Sequence, residues 1–166
     1  MYVGSHDHKL YAFDAAGATG CSGVPKSCAP LWTADTGAAV ESSPAVASGV
    51  VYVSGTNPRL WAYDAAGVTG CTGIPRTCLP LWEGEIGNNN GASPVVANGV
   101  VYGGSHPQGE WAFDAAGVIG CSRLPKTCQP LWTAYTGDIV DSSTAVVNGF
   151  IYFGSNSRQL YAYSLP

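Results

Sequence analysis

Six cysteines stand in three pairs, Cys21/Cys28, Cys71/Cys78 and Cys121/Cys128, each with six residues between the partners. Thiols in such pairs can bind a metal, cycle between redox states or form structural bridges. A structural zinc site draws on C-x₂₋₄-C spacing and a second ligand pair, which the sequence does not offer. A redox dithiol favours C-x-x-C. The even count, the identical spacing and the lack of helical sequence fit one disulfide in each loop. Closing a ring of about eight residues stabilises a fold by roughly 2.5 kcal/mol on the chain-entropy estimate. Such bridges imply an oxidising compartment.

Other side chains invite the same question. Asp14, Asp64 and Asp114 are possible calcium ligands, yet they recur at one position of every full link of a repeat. Recurrence points instead to capping, a carboxylate accepting backbone N–H groups in the turn that follows. His6-Asp7-His8 has metal-binding residue types, but its counterparts Thr56-Asn57-Pro58, His106-Pro107-Gln108 and Asn156-Ser157-Arg158 share only polarity, as in a solvated turn. Trp32, Trp82 and Trp132, with Trp61 and Trp111, could be stacking platforms; at fixed repeat positions they are expected to pack between structural units, their indole N–H groups seeking backbone acceptors. Glu41, Asn89, Asn90 and Asp141 occupy a segment where the copies disagree, and are the candidates for a ligand-facing polar cluster. No Ser/His/Asp triad motif, phosphate loop or HExxH motif occurs.

These residues are positioned by a repeat. Leu60-Trp61-Ala62-Tyr63-Asp64-Ala65-Ala66-Gly67 is echoed at Leu10–Gly17 and from Trp111 to Gly117, and a last copy starts at Leu160; Trp32, Trp82 and Trp132 are 50 residues apart. A period of that length marks an array of one supersecondary unit. In the second unit, short strands are expected at Ser43–Ala47, Val50–Ser54, Leu60–Asp64 and Leu81–Gly84, rich in β-branched and aromatic residues. Asn98-Gly99 and Asn148-Gly149 favour type I′ hairpin turns, because both residues tolerate positive φ. A Gly-, Cys- and Pro-containing link occupies 65–79. No segment has a 3.6-residue period. Four short antiparallel strands per unit, arranged radially, make an all-β β-propeller; a stacked solenoid is the structural alternative. The expected blades are 1–34 (partial), 35–84, 85–134 and 135–166 (partial), about half a ring.

Hydrophobic residues make up 46% of the 166 residues and charged residues 11%, with a net charge of −4. Scattered basic residues argue against a nucleic-acid surface. No apolar run reaches the ~18–20 residues of a membrane span. Met1 falls in register with Val51, Val101 and Ile151, in mid-strand. The chain is therefore expected to be a fragment, with any export signal upstream. Its expected partners are further copies of itself or the remainder of a longer propeller.

Ser43-Pro44-Ala45-Val46-Ala47, Gly49-Val50-Val51-Tyr52-Val53, Leu60-Trp61-Ala62-Tyr63-Asp64-Ala65 and Leu81-Trp82 together resemble the repeat of quinoprotein-type, pyrroloquinoline-quinone (PQQ) propellers. The resemblance covers the whole chain. It implies a propeller of seven or eight blades, and either a PQQ- and calcium-dependent dehydrogenase or a non-enzymatic relative such as a lipoprotein assisting outer-membrane protein assembly. The enzymes are expected to carry an adjacent Cys-Cys pair and a calcium site of Glu, Asn and Asp; this chain has no Cys-Cys dipeptide. The family's short turn between third and fourth strands is enlarged here to a cysteine-bearing link, which looks like that of secreted or cell-surface bacterial relatives. The expectation is a non-enzymatic scaffold that assembles through its incomplete end blades, with a PQQ-dependent dehydrogenase fragment as the alternative.

Overall fold

The computed structural model describes residues 1–87, 91–106 and 109–165. Every regular element in it is a strand. The first blade contains β1 (Tyr2–Gly4) and β2 (Lys9–Ala12), a link hairpin of β3 (Cys21–Ser22) and β4 (Ser27–Cys28), and β5 (Trp32–Asp35). The second contains β6 (Ala45–Ala47), β7 (Val50–Ser54), β8 (Arg59–Asp64), the hairpin of β9 (Cys71–Thr72) and β10 (Arg76–Cys78), and β11 (Trp82–Glu85). The third repeats this with β12 (Val95–Ala97), β13 (Val100–Ser105), β14 (Gly109–Asp114), β15 (Cys121–Ser122), β16 (Thr127–Cys128) and β17 (Trp132–Tyr135). The fourth has β18 (Ala145–Val147), β19 (Phe150–Ser155) and β20 (Gln159–Ser164). Within each blade the main strands run antiparallel in chain order, as in β12-β13-β14-β17.

The turns follow their sequence chemistry. Asn98 and Gly99 have φ of 51° and 76°, and Asn148 and Gly149 have 52° and 77°. Both residues of each turn are left-handed, as the type I′ turn requires. The first strand of the second unit starts at Ala45 rather than Ser43. The preceding groups are engaged elsewhere: the Ser54 N–H donates to Ser42 Oγ, which donates to Ser54 O, and the Ser43 N–H donates to Ser93 Oγ. Pro44 has no N–H to give a ladder.

The links depart most from expectation. Each is a hairpin closed by a disulfide, Cys21–Cys28, Cys71–Cys78 and Cys121–Cys128. The second and third hairpins also leave their own blade and pair in parallel with the outermost strand of the blade before. Arg76 and Thr77 lie opposite Trp32 and Thr33, and Thr127 and Cys128 opposite Glu83 and Gly84. The second blade becomes a six-stranded sheet, β15-β16-β11-β8-β7-β6. The blades are thus not purely antiparallel.

The core lies between blades. One cluster joins Leu10, Trp32 and Ala34 to Val51, Val53, Trp61 and Tyr63; a second joins Tyr52, Leu60 and Trp82 to Val101 and Phe113. Central strands are therefore covered on both faces: Leu60 is buried, whereas Leu160, with no blade beyond it, is 75% exposed. Burying a large aliphatic or aromatic side chain contributes about 1.5–3 kcal/mol, so each blade depends on its neighbours, as repeat arrays do. Among the described residues no helix is long and apolar enough to cross a membrane.

The docked hairpins bury one sulfur each. Cys78 and Cys128 are 2% and 1% exposed, while Cys28, on a hairpin with no strand beneath it, is exposed. Thiol–disulfide exchange needs access to a sulfur. Under limiting reductant, Cys21–Cys28 is expected to open first, at least about tenfold faster than the other two, since burial controls access. Alkylation followed by peptide mass mapping gives the order.

Candidate functional site

The aspartates that open the links are saturated by backbone. Asp64 Oδ1 accepts from the Ala66 N–H at 3.1 Å, and Oδ2 from Val68 and Thr69 at 2.9 and 2.6 Å. Asp14 and Asp114 make the same bonds. A cation from the far side of each hairpin closes the loop: Lys26, Arg76 and Lys126 donate to the carbonyls of Gly17, Gly67 and Gly117. The Thr69 N–H holds the Asp64 carboxyl below its ordinary range; burial opposes it, and the Val68 and Ala66 N–H groups reinforce it. A depressed carboxylate stabilises the fold above its unfolded pKa and ceases to do so as pH falls through its folded pKa. Asp64→Ala is expected to cost about 1–2 kcal/mol at pH 7. The gap from wild type should narrow at pH 2–3. Urea denaturation at both pH values measures it.

Trp32 and Trp82 form a repeated clamp. The Trp32 Nε1–H and the Tyr2 hydroxyl both donate to Ala65 O, at 3.3 and 2.9 Å. Trp82 and Tyr52 do the same to Ala115 O, at 3.3 and 2.9 Å. The link glycine lies flat on the indole: a Cβ on Gly67 would fall 2.1 Å from Trp32 Cδ1, and one on Gly117 2.1 Å from Trp82 Cδ1. The Trp32 and Trp82 indoles pack between blades with their N–H groups on backbone acceptors, as their repeat positions predict, whereas the Trp111 N–H donates to the Ser105 hydroxyl at 2.8 Å.

The polar residues before the first strands form local contacts. Glu41 Oε1 lies 3.6 Å from His6 Nε2, both exposed, and Asp141 accepts from Asn156 Nδ2 at 3.2 Å. Asn89 and Asn90 lie outside the described residues. Tyr11 donates to Asp7, tying one residue of the His6-Asp7-His8 turn to β2. Ser43 N–H to Ser93 Oγ and Ser93 N–H to Ser143 Oγ, at 2.8 and 3.2 Å, step from one unit to the next. Among the described residues no three of His, Cys, Asp and Glu gather closely enough to hold a metal ion.

One buried group breaks the repeat. Glu110, fully buried on β14, occupies the position of Leu10, Leu60 and Leu160. The Thr144 hydroxyl donates to its Oε1, and Oε2 is buried without a partner. Thr144 stands where the other units have Pro44 and Pro94. Two contacting positions have therefore both changed from apolar to polar, at the junction of the third and fourth blades. Burial pushes the Glu110 carboxyl up to about 8, with the Thr144 bond opposing. The pair was missed because the third copy is recognised from Trp111 onward; its signal is the single Glu among the leucines one residue earlier.

Successive sheets of mainly antiparallel strands in chain order, packed against one another with a Trp clamp at the first two junctions, settle the architecture. The fold is a β-propeller. No protein-family model matches the chain, and no curated protein matches it in sequence. Among solved structures it is similar to BamB from Moraxella catarrhalis, with 17% identity and a TM-score of 0.70 over 99% of this chain and 46% of that one. It is also similar to the computationally designed Ika4 protein, with 10% identity and a TM-score of 0.66 over 99% of this chain and 84% of that one. At these identities the likeness is one of fold. The chain spans about half the length of BamB.

Proposed function

We propose that this chain is part of a quinoprotein-type propeller serving as a non-enzymatic binding and structural scaffold, exported to an oxidising compartment, whose copies associate through their incomplete end blades. One observation carries the scaffold reading. The side chains best suited to chemistry are occupied in recurring structural bonds: all six cysteines in disulfides, Asp14, Asp64 and Asp114 in backbone caps, and Trp32 and Trp82 in interblade clamps. Catalysis at one centre calls for positions that differ between copies, and the conspicuous ones do not. The disulfides support an oxidising compartment. The open ladders of β1 and β20 support association, since unpaired strand edges template further pairing.

Titration with PQQ and calcium, followed by thermal melting and dye-linked alcohol oxidation, tests the scaffold against the dehydrogenase. An unchanged melting temperature and no turnover are expected. Saturable stabilisation by PQQ, or turnover, would overturn the scaffold reading. Light scattering tests the association: a mass above that of one chain is expected, and a strictly monomeric mass contradicts it.

A further inference from the structure

We propose that the outer edge of β17 and the cavity beside Trp132 form a seat for the Cys21–Cys28 hairpin of a second copy of this chain, an inference that rests on the self-association reading above. Two complementary halves of one interface are left over, and the chain makes that interface twice with itself. On β5 and β11 the next unit's hairpin is docked; on β17 there is none. Among the described residues the β3-β4 hairpin in turn pairs only with itself.

The vacant seat keeps the receiving side chains. Trp132 corresponds to Trp32 and Trp82 but is only half-buried, and among the described residues its indole N–H meets no acceptor. Tyr102 corresponds to Tyr2 and Tyr52, whose hydroxyls donate to the link carbonyls Ala65 O and Ala115 O. A cavity of about 450 Å³, lined by Tyr102, Leu131, Trp132, Ile151 and Leu165 among others, lies beside them. Transferring the internal register puts Lys26 and Ser27 of the second copy opposite Trp132 and Thr133, as Arg76 and Thr77 lie opposite Trp32 and Thr33. Ala15 O of the second copy then meets both donors, and its Gly17 lies on the Trp132 ring.

The hairpin cannot arrive without its blade, so the second copy's β1 and β2 take the place of β19 and β20 against β18. They carry the same repeat: Tyr2, Gly4, Ser5, Leu10, Tyr11 and Ala12 match Tyr152, Gly154, Ser155, Leu160, Tyr161 and Ala162. β18 pairs with Tyr152 and Ile151, so Ala145 and Val146 would face Tyr2 and Met1 of the second copy. That strand supplies the first blade's missing innermost member. The serine steps also continue: the Ser143 N–H, one unit on from Ser93, meets Ser43 Oγ of the second copy. An exchange of equivalent elements is a low-cost route to association. β19 and β20 leave β18 in this arrangement, and Met1, Asp14 and Ala15 of the second copy replace Ile151, Ser164 and Leu165 on the far wall of the cavity; the replacement satisfies Trp132 and Tyr102 and completes a four-stranded blade.

Gly17 provides the test. Its φ is +62° and an added Cβ would approach only the Lys26 side chain, at 3.9 Å, whereas the docked Gly67 and Gly117 leave no room. Asn tolerates that backbone region, so Gly17→Asn leaves the single chain folded and blocks the seat. Gly137→Asn, at φ +74° with nothing within 4 Å, is the control. Sedimentation velocity over a concentration series should show wild type and Gly137→Asn associating, with Gly17→Asn weakened at least about 100-fold, or about 2.7 kcal/mol. The Cys21–Cys28 bridge should become slow to reduce in the associated wild type. Association that survives Gly17→Asn unchanged overturns the seat while leaving self-association standing. A wild-type chain that is monomeric throughout overturns both.

Discussion

Wild-type protein is expected to lose stability steadily as pH rises from about 5 to 8, and Glu110→Gln to abolish that loss. The buried carboxyl is pushed up to about 8 by desolvation, from 4.5 in an unfolded chain. Between those values the folded state binds the proton and the unfolded state does not. Stability is therefore full below about pH 4.5 and declines as pH climbs through 8. At about 1.4 kcal/mol per pH unit the total is on the order of 4–5 kcal/mol. Tyr102, on the neighbouring strand, is raised by its own burial and by the Glu110 charge; it stays neutral through this window. Glu110→Gln keeps a polar group for Thr144 and cannot ionise, so its stability should be flat over the same range relative to the wild-type slope. The repeat itself supplies a second variant. Replacing Glu110 by Leu and Thr144 by Pro reproduces the pairs Leu10/Pro44 and Leu60/Pro94. Removing both polar partners together avoids leaving either unsatisfied. The double variant should be the most stable form at pH 8, with a melting temperature roughly 10 °C above wild type. Urea melts at half-unit pH intervals measure the slope. Parallel slopes for wild type and Glu110→Gln would place the titrating group elsewhere.

The second large effect lies at the clamps. One substitution at three equivalent sequence positions is expected to have unequal costs. Gly67→Asn and Gly117→Asn drive a Cβ to within 2.1 Å of Trp32 and Trp82, and those indoles are enclosed between blades. Neither can retreat without opening the core and losing its bond to Ala65 O or Ala115 O. Overpacking of this kind costs about 3 kcal/mol or more. Gly17→Asn, with open space around it, should cost less than about 1 kcal/mol in dilute protein. Asn accommodates the left-handed backbone at all three sites, where φ is +62° to +65°, so backbone strain cancels in the comparison. Equal costs at the three positions would mean that the tryptophans do not hold the links.

Much of this architecture is legible in the residues. The Asn-Gly turns, the β-branched strands and the 50-residue spacing specify hairpins and blades because each acts locally. The cysteine spacing specifies the bridges for the same reason. The docking of Arg76 and Thr77 beside Trp32 and Thr33 is different. Parallel pairing between copies depends on a neighbouring blade and leaves no local periodicity, so the link reads as an irregular excursion. Glu110 is hidden for another reason. A charged residue next to a polar turn looks like a solvated strand end, and only the leucines at the same position elsewhere reveal that it faces the core. Of the proposed ligand-facing residues, Glu41 and Asp141 are seen in local polar contacts.

The second and third link hairpins clamp their blades to the one before. Backbone hydrogen exchange at two equivalent amides tests this clamping most directly. The Glu83 N–H donates to Lys126 O on the docked hairpin at 3.0 Å. Thr133, at the same position on β17, has no hairpin beside it. In dilute protein, Glu83 should exchange roughly 100-fold more slowly than Thr133, and reducing Cys121–Cys128 should erase most of that difference. Equal exchange at the two amides, or protection of Glu83 indifferent to reduction, would contradict the clamp.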